Sequence, residues 1–216
     1  MPECRVSTLG TLGYAAALSA QKDAVRRRIA GEIPDTLLFV EHPHVVTLGK
    51  TAKREHLVAA RPGVEVVGTD RGGDVTYHGP GQVVGYPIVD LSALRRDVKW
   101  YLERLEDVLI RTCARYGLEA GRTEGMTGAW VGGAKIAAIG VRVERWVTSH
   151  GFALNANTDL SYFDLIIPCG LRGKGVTSLA KELGRPVDLD ELRRMLAEAF
   201  GEVFDRAIVH EKESPP

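Results

Sequence analysis

A chain of 216 residues is large for one domain and small for two, and with 44 per cent apolar residues it has enough to fill a substantial core. Its 28 Lys and Arg balance 28 Asp and Glu, which excludes a global field drawing it to nucleic acid or an anionic membrane. No apolar run approaches the roughly 20 residues that span a bilayer, the opening MPECRVSTLG lacks a charged-then-apolar signal pattern, and Cys4, Cys113 and Cys169 suit neither a disulfide framework nor a zinc cluster, so a cytoplasmic, reducing setting is expected.

In chain order, residues 14–30 read as a helix. Tyr14, Leu18, Gln21, Val25 and Ile29 lie roughly along one stripe, and Arg26-Arg27-Arg28 fall in the last turns. Pro34 ends that region. Short strands are expected over 36–41 and 45–48, across the His42-Pro43-His44 turn, and over 64–67, 74–78 and 82–88 between glycine signals. The strongest helix runs over 98–116, with Val98, Tyr101, Leu102, Leu105, Val108, Leu109, Thr112, Cys113 and Tyr116 at three- and four-residue steps and Gly117 as the stop. Strands follow over 128–131, 135–144 and 146–154. A short helix over 177–183, capped by Thr177, precedes a last helix from Asp188, where Glu191 stands three residues on as in a capping box.

Strands come in consecutive runs and do not alternate strictly with helices. The pattern predicts an α+β fold with a mixed, mostly antiparallel sheet and flanking helices. Neither GxGxxG after a first strand nor GxxxxGK[ST] is present, so no phosphate loop is predicted.

Two segments have compositions that a core does not need. Residues 71–88 read RGGDVTYHGPGQVVGYPI: a cation beside permissive backbone, three consecutive polar side chains at Thr76, Tyr77 and His78, then a turn forced by Gly79-Pro80-Gly81. A hairpin tip and a ligand-contacting loop both fit. Residues 167–175 set Cys169 between Pro168 and Gly170, with Arg172 and Lys174 close by. A nearby cation lowers a thiol's pKa and raises its thiolate fraction, and a thiolate suits acyl transfer. Cys113, on the apolar face of the long helix, reads as a small buried hydrophobe. Lys135 opens an apolar strand after Gly132-Gly133; an exposed edge lysine and a pocket-lining ammonium able to move protons are both open, and Ala137, Ala138 and Gly140 leave room for an apolar ligand. The six histidines include no HxxH or HExxH spacing, so no metal site is predicted. His42 and His44 read as a turn pair, and His78 and His150 as hydrogen-bonded groups bordering a pocket.

The string from Arg71 to Gln82, continued by Tyr86-Pro87-Ile88, resembles the signature of the lipoyl(octanoyl) transferases. Gly133 to Gly140 resembles that family's lysine motif, His150-Gly151-Phe152-Ala153-Leu154-Asn155 its following strand, and Pro168-Cys169-Gly170 its nucleophile motif. The four occur in the right order over about 100 residues, and the resemblance covers nearly the whole chain, 1–216, as one catalytic domain. It implies the fold shared with biotin and lipoate protein ligases. It implies transfer of an octanoyl group from octanoyl-acyl carrier protein to a lysine of lipoyl domains, on 2-oxoacid dehydrogenase subunits and the glycine cleavage H protein.

By the same resemblance Cys169 is the nucleophile that carries a thioester, and Lys135 lowers its pKa and relays protons. Arg71, Gly72, Gly73, Asp74, Val75, Thr76, Tyr77, His78, Ala138, Ile139, Gly140, Gly151, Phe152 and Ala153 line the acyl and thioester site. No ATP, metal or organic cofactor is needed, since the donor thioester is already activated. A monomer binding neither nucleic acid nor membrane is expected. Arg142, Arg145, Arg172 and Lys174 are candidates for a basic patch facing the acidic carrier. The rivals are an ATP-dependent lipoate–protein ligase and a non-catalytic lipoyl-domain or acyl-carrier binding protein.

Overall fold

In a computed structural model, which describes residues 1–167 and 175–211, the chain begins with β1 (Glu3–Thr11), α1 (Tyr14–Ile29), β2 (Asp35–Glu41), β3 (Val45–Leu48), β4 (Glu65–Gly68), β5 (Val75–His78) and β6 (Gln82–Ile88). It continues through α2 (Val98–Arg115), β7 (Ala120–Thr123), β8 (Met126–Val131), β9 (Ala134–Glu144), β10 (Val147–Asn155), α3 (Leu179–Leu183), α4 (Leu189–Phe204) and β11 (Ala207–His210). Eight strands form one sheet in the order β11-β1-β2-β6-β10-β9-β8-β7, and β4-β3-β5 form a second. In the larger sheet only β1 runs parallel to its neighbours, β11 and β2; from β2 to β7 every described pairing is antiparallel.

The two faces of the large sheet are covered differently. Leu37, Phe39, Val83, Phe152, Leu154, Ile136 and Ala137 pack against α2 and α4, whose buried stripes include Leu105, Leu109, Leu192, Leu196 and Phe200. Asp97 caps α2 by accepting from Trp100 N–H at 3.0 Å, and Asp188 caps α4 by accepting from Asp190 and Glu191 N–H at 2.8 and 3.0 Å. On the opposite face Leu38, Val40, Val84, Tyr86 and Ala153 meet Ala17, Ala24 and Val25 of α1. The small sheet lies beside α1 on that face, tied to β9 by Gly72 N–H donating to Val141 O at 2.8 Å. The space between α1, the small sheet and β6-β10-β9 is where a site can form.

The expected mixed, mostly antiparallel α+β arrangement is the one observed. Two details differ. The 177–183 helix begins at Leu179 and is capped by Ser178, whose hydroxyl accepts from Lys181 N–H; Thr177 instead gives its N–H to Lys135 O and its C=O to Asn155 Nδ2. The strands β1, β7 and β11 were not expected. Among the described residues no helix is long and apolar enough to cross a membrane.

Candidate active site

A pocket of about 770 Å³, its mouth included, opens at that junction. Arg71, Gly73, Asp74, Val75, Thr76 and His78 line it from β5 and the loop before it, and Gln82, Val84 and Tyr86 from β6. Lys135, Ala138, Ile139 and Gly140 of β9 face Gly151, Phe152 and Ala153 of β10 across paired register, with Gly140 opposite Gly151 and Ala138 opposite Ala153. Tyr14, His150, Asn155, Phe163 and Val176 complete the lining.

A β-bulge decides where Lys135 points. Ala129 pairs with Ala137 but Trp130 pairs with Lys135, so Ile136 is an extra residue on β9. Ile136 and Ala137 both enter the helix-packed core. Strict alternation from Ala138 would send Lys135 to the core as well; the extra residue brings it to the pocket face. Gly128 makes room on β8, since a Cβ there would lie 2.4 Å from Ala137 O. Lys135 is only 7 per cent exposed, with Nζ 4.9 Å from the Trp130 ring centroid. The side chain is therefore buried in the pocket wall and is not an exposed edge lysine.

Hydrogen bonds tie the first three motifs to one another and to Gly175 and Thr177. His78 Nδ1 donates to Gln82 Oε1 at 2.8 Å, Gln82 Nε2 to Asn155 Oδ1 at 2.9 Å, and Asn155 Nδ2 to Thr177 O at 3.0 Å. The Lys135 backbone then brackets the residues following the cysteine motif: its N–H donates to Gly175 O and its C=O accepts from Thr177 N–H, each at 3.0 Å. Cys169 itself, with Gly170, Arg172 and Lys174, lies outside the described residues. Ile167, the last described residue before it, donates to His56 O at 2.8 Å.

Burial holds several polar groups in and behind the pocket wall in their neutral forms. Burial pushes the His78 imidazole down to about 3, helped by His42, Arg71 and His150, against the Gln82 hydrogen bond. Burial also lowers His42 and His150 and raises the Tyr14 and Tyr86 phenols. His42 Nδ1 donates to Leu12 O, so its neutral ring accepts the Tyr86 hydroxyl at Nε2; both contacts are 2.7 Å. Tyr14 stacks on His78 with centroids 6.3 Å apart. His150 holds a left-handed backbone (φ 55°), fixed by its N–H donating to Gln21 Oε1 and its Nε2 donating to Asp70 Oδ1.

These neutral histidines predict acid lability. Below pH 6.5 the unfolded chain takes up protons that buried His78 refuses until about pH 3, so stability decreases as pH is lowered across that window. His42 and His150 add to the slope in the same direction. Denaturant midpoints at pH 7 and pH 5 check this, and equal midpoints would contradict it.

Some expected lining residues do other work. Tyr77 turns its ring into the small-sheet core, with its hydroxyl 2.7 Å from His44 Nδ1, and is outside the pocket lining; so is Gly72, whose backbone joins the sheets. Arg71 borders the pocket, but its guanidinium is buried against β3, donating to Thr47 O at 2.7 Å. Of the expected basic patch, Arg142 is paired with Asp70 and Glu144. Sequence reasoning missed Val84, Phe163 and Val176 as lining residues and gave Tyr14 only a place on a helix stripe. Gln82, Tyr86 and Asn155 stood within the quoted motifs with no assigned role.

Comparison with known proteins bears on the family and the fold. Residues 13–201 match the family model of the lipoyl protein ligase A/B catalytic domain. A curated octanoyltransferase of Solibacter usitatus is 51 per cent identical over 210 residues, covering 95 per cent of this chain and 94 per cent of the relative. One from Rubrobacter xylanophilus is 52 per cent identical over 202 residues, covering 90 per cent of each. Among solved structures, a bi-partite lipoate protein ligase from Thermoplasma acidophilum superposes with TM-score 0.78 at 18 per cent identity, covering 99 per cent of this chain and 89 per cent of that one. A biotin protein ligase from Aquifex aeolicus gives TM-score 0.54 at 9 per cent identity, over 95 and 70 per cent. At such identities the structural likenesses establish the fold.

Proposed function

The chain belongs to the octanoyltransferases of the lipoyl protein ligase A/B family, acyltransferases of protein lipoylation, and from that premise we propose that it works through a Cys169 thioester with Lys135 as proton carrier. The donor is octanoyl-acyl carrier protein. Cys169 thiolate attacks its thioester carbonyl; the new S–C bond forms as the carrier's C–S bond breaks, and the departing thiolate takes a proton from the Lys135 ammonium. A lysine amine of a lipoyl domain then attacks the acyl-enzyme. Its N–C bond forms, the Cys169 S–C bond breaks, and the amine's proton returns through Lys135. An amide replaces a thioester, so the second half is downhill without ATP. In the same reading the acceptors are 2-oxoacid dehydrogenase subunits and the glycine cleavage H protein, and residues 1–216 act as one catalytic domain, a cytoplasmic monomer.

The observation that supports this reading most is the placement of Lys135. Its ammonium is buried in the pocket wall while its backbone holds Gly175 and Thr177, just past the cysteine motif. Small residues at Ala138, Gly140, Gly151 and Ala153 leave an apolar strip for the acyl chain. Incubation with octanoyl-acyl carrier protein and no ATP, followed by intact mass, is the test. An octanoyl adduct lost in Cys169→Ala is expected. A need for ATP would make the chain a ligase, and binding without adduct or transfer would make it a non-catalytic module.

Chain length gives an independent check. Each methylene buried contributes roughly 0.8 kcal/mol, and Ala138 borders the pocket with the smallest side chain that has a Cβ. Ala138→Leu is expected to lower kcat/KM for octanoyl donors about 10-fold more than for butanoyl donors, as two displaced methylenes imply. Equal losses would take this strand out of the acyl site.

A further inference from the structure

Residues 49–64 connect β3 to β4, and their one short 3-10 turn, Arg54–His56, buries no residue. Ala52, Leu57 and Val64 give the connection only partly buried carbon. Backbone N–H groups of Gly49, Lys50 and Thr51 join its start to Asp74, Arg71 and Gly73 O at 3.0–3.2 Å, and farther along a carboxylate holds it. Asp74, 9 per cent exposed, accepts from His56 Nδ1 through Oδ2 at 2.5 Å and from Lys53 N–H through Oδ1 at 3.3 Å. The other side of the same connection is stitched to the residues leading to Cys169. His56 O accepts from Ile167 N–H at 2.8 Å, Leu57 pairs with Ile166 as an antiparallel bridge, and Val58 N–H donates to Leu165 O at 2.9 Å. Asp74 lies between Gly73 and Val75, and all three border the pocket.

We propose that His56 and Asp74 form a clasp that positions the nucleophile's segment against the acyl pocket, a role that rests on Cys169 being the nucleophile. The His56 ring grips the pocket wall and the His56 carbonyl grips Ile167, two positions before the cysteine. In this reading both are positioning residues. A misplacement of about 1 Å costs up to about 100-fold in rate, so loosening the clasp slows acylation while the preformed pocket keeps its affinity for the donor.

The test is the rate of octanoyl-adduct formation on the full chain, using octanoyl-coenzyme A as donor and intact mass as readout. His56→Ala and Asp74→Ala are each expected to lower the maximal acylation rate about 10- to 100-fold, and for His56→Ala, a residue outside the pocket lining, the half-saturating donor concentration stays within about 2-fold of wild type. His56→Asn, whose amide N–H can occupy the place of Nδ1–H, is expected to recover the rate to within about 3-fold. The double alanine variant is expected to be no slower than either single one, because both remove the same contact. Acylation of His56→Ala at the wild-type rate overturns the clasp. So does an Asn variant as slow as the Ala variant, a loss confined to donor saturation, or multiplicative losses in the double variant. Should His56→Ala not fold, Asp74→Ala, which removes the same contact from the other side, carries the same expectation and the same refutation. Transfer by the wild-type chain with no adduct on Cys169 refutes the nucleophile reading, a result separate from all of these.

Discussion

Lys135→Ala is expected to lower octanoyl transfer by about 10²- to 10⁴-fold, the range by which a positioned acid or base accelerates proton transfer. Cys169→Ser is expected to lower it by about 10³-fold or more, since a serine hydroxyl has almost no ionised fraction at neutral pH. In the proposed mechanism the two residues serve one step, so the double variant should be little worse than Cys169→Ser alone. Lys135→Arg should not rescue, because a guanidinium holds its proton too tightly to relay it. Transfer to a lipoyl domain, followed by mass, measures all four. Lys135→Ala transferring at close to the wild-type rate would remove the lysine from the mechanism.

Gly151→Ala is expected to cost about 3 kcal/mol or more in stability. An added Cβ would stand 2.2 Å from Gly85 O and 2.5 Å from Pro87 Cδ, so strand β6 would have to move. Gly85 is locked in turn, since its own Cβ would fall 2.3 Å from the Phe152 ring. The clash is with backbone and a fixed ring, and a rotamer change cannot relieve it. Thermal denaturation of Gly151→Ala beside Ala153→Gly separates this effect from ordinary loss of packing. A melting temperature within 2 or 3 °C of wild type, a shift that corresponds to only about 1 kcal/mol in a chain this size, would contradict the close approach.

Much of this was legible before any coordinates. The helices α2 and α4 carry periodic apolar stripes with Asp97 and Asp188 in front of them, and β3 and β6 stand between turn signals. Strands β1, β7 and β11 were not legible: β11 and β7 are the sheet's edges, and β1 carries little apolar alternation in STLGT. Short edge strands are defined by a neighbour, and their own sequence says little of it. The motif residues were found by resemblance, but their facing was not. Tyr77 and His78 are adjacent and equally polar, yet only the pleat sends His78 to the pocket and Tyr77 to the small-sheet core. The clasp from His56 to Asp74 spans a connection with no periodicity, so nothing in the sequence marked His56 as its partner.

The extra residue at Ile136 also sets which deletions β9 can survive. In a regular strand, losing any one residue inverts the facing of everything on one side of it. Loss of Ile136 is different: the two-against-one mismatch with β8 closes to one-against-one, Lys135 still faces the pocket, and Ala137 still faces the helices. The penalty is one isoleucine of helix-side core. Loss of Ala138, two positions on, keeps the bulge but turns Lys135 relative to Gly140 and the Gly151 strand. In β9, then, single-residue gaps are expected to be tolerated within the Ile136–Ala137 pair and to be ruinous at the pocket-lining positions beside it.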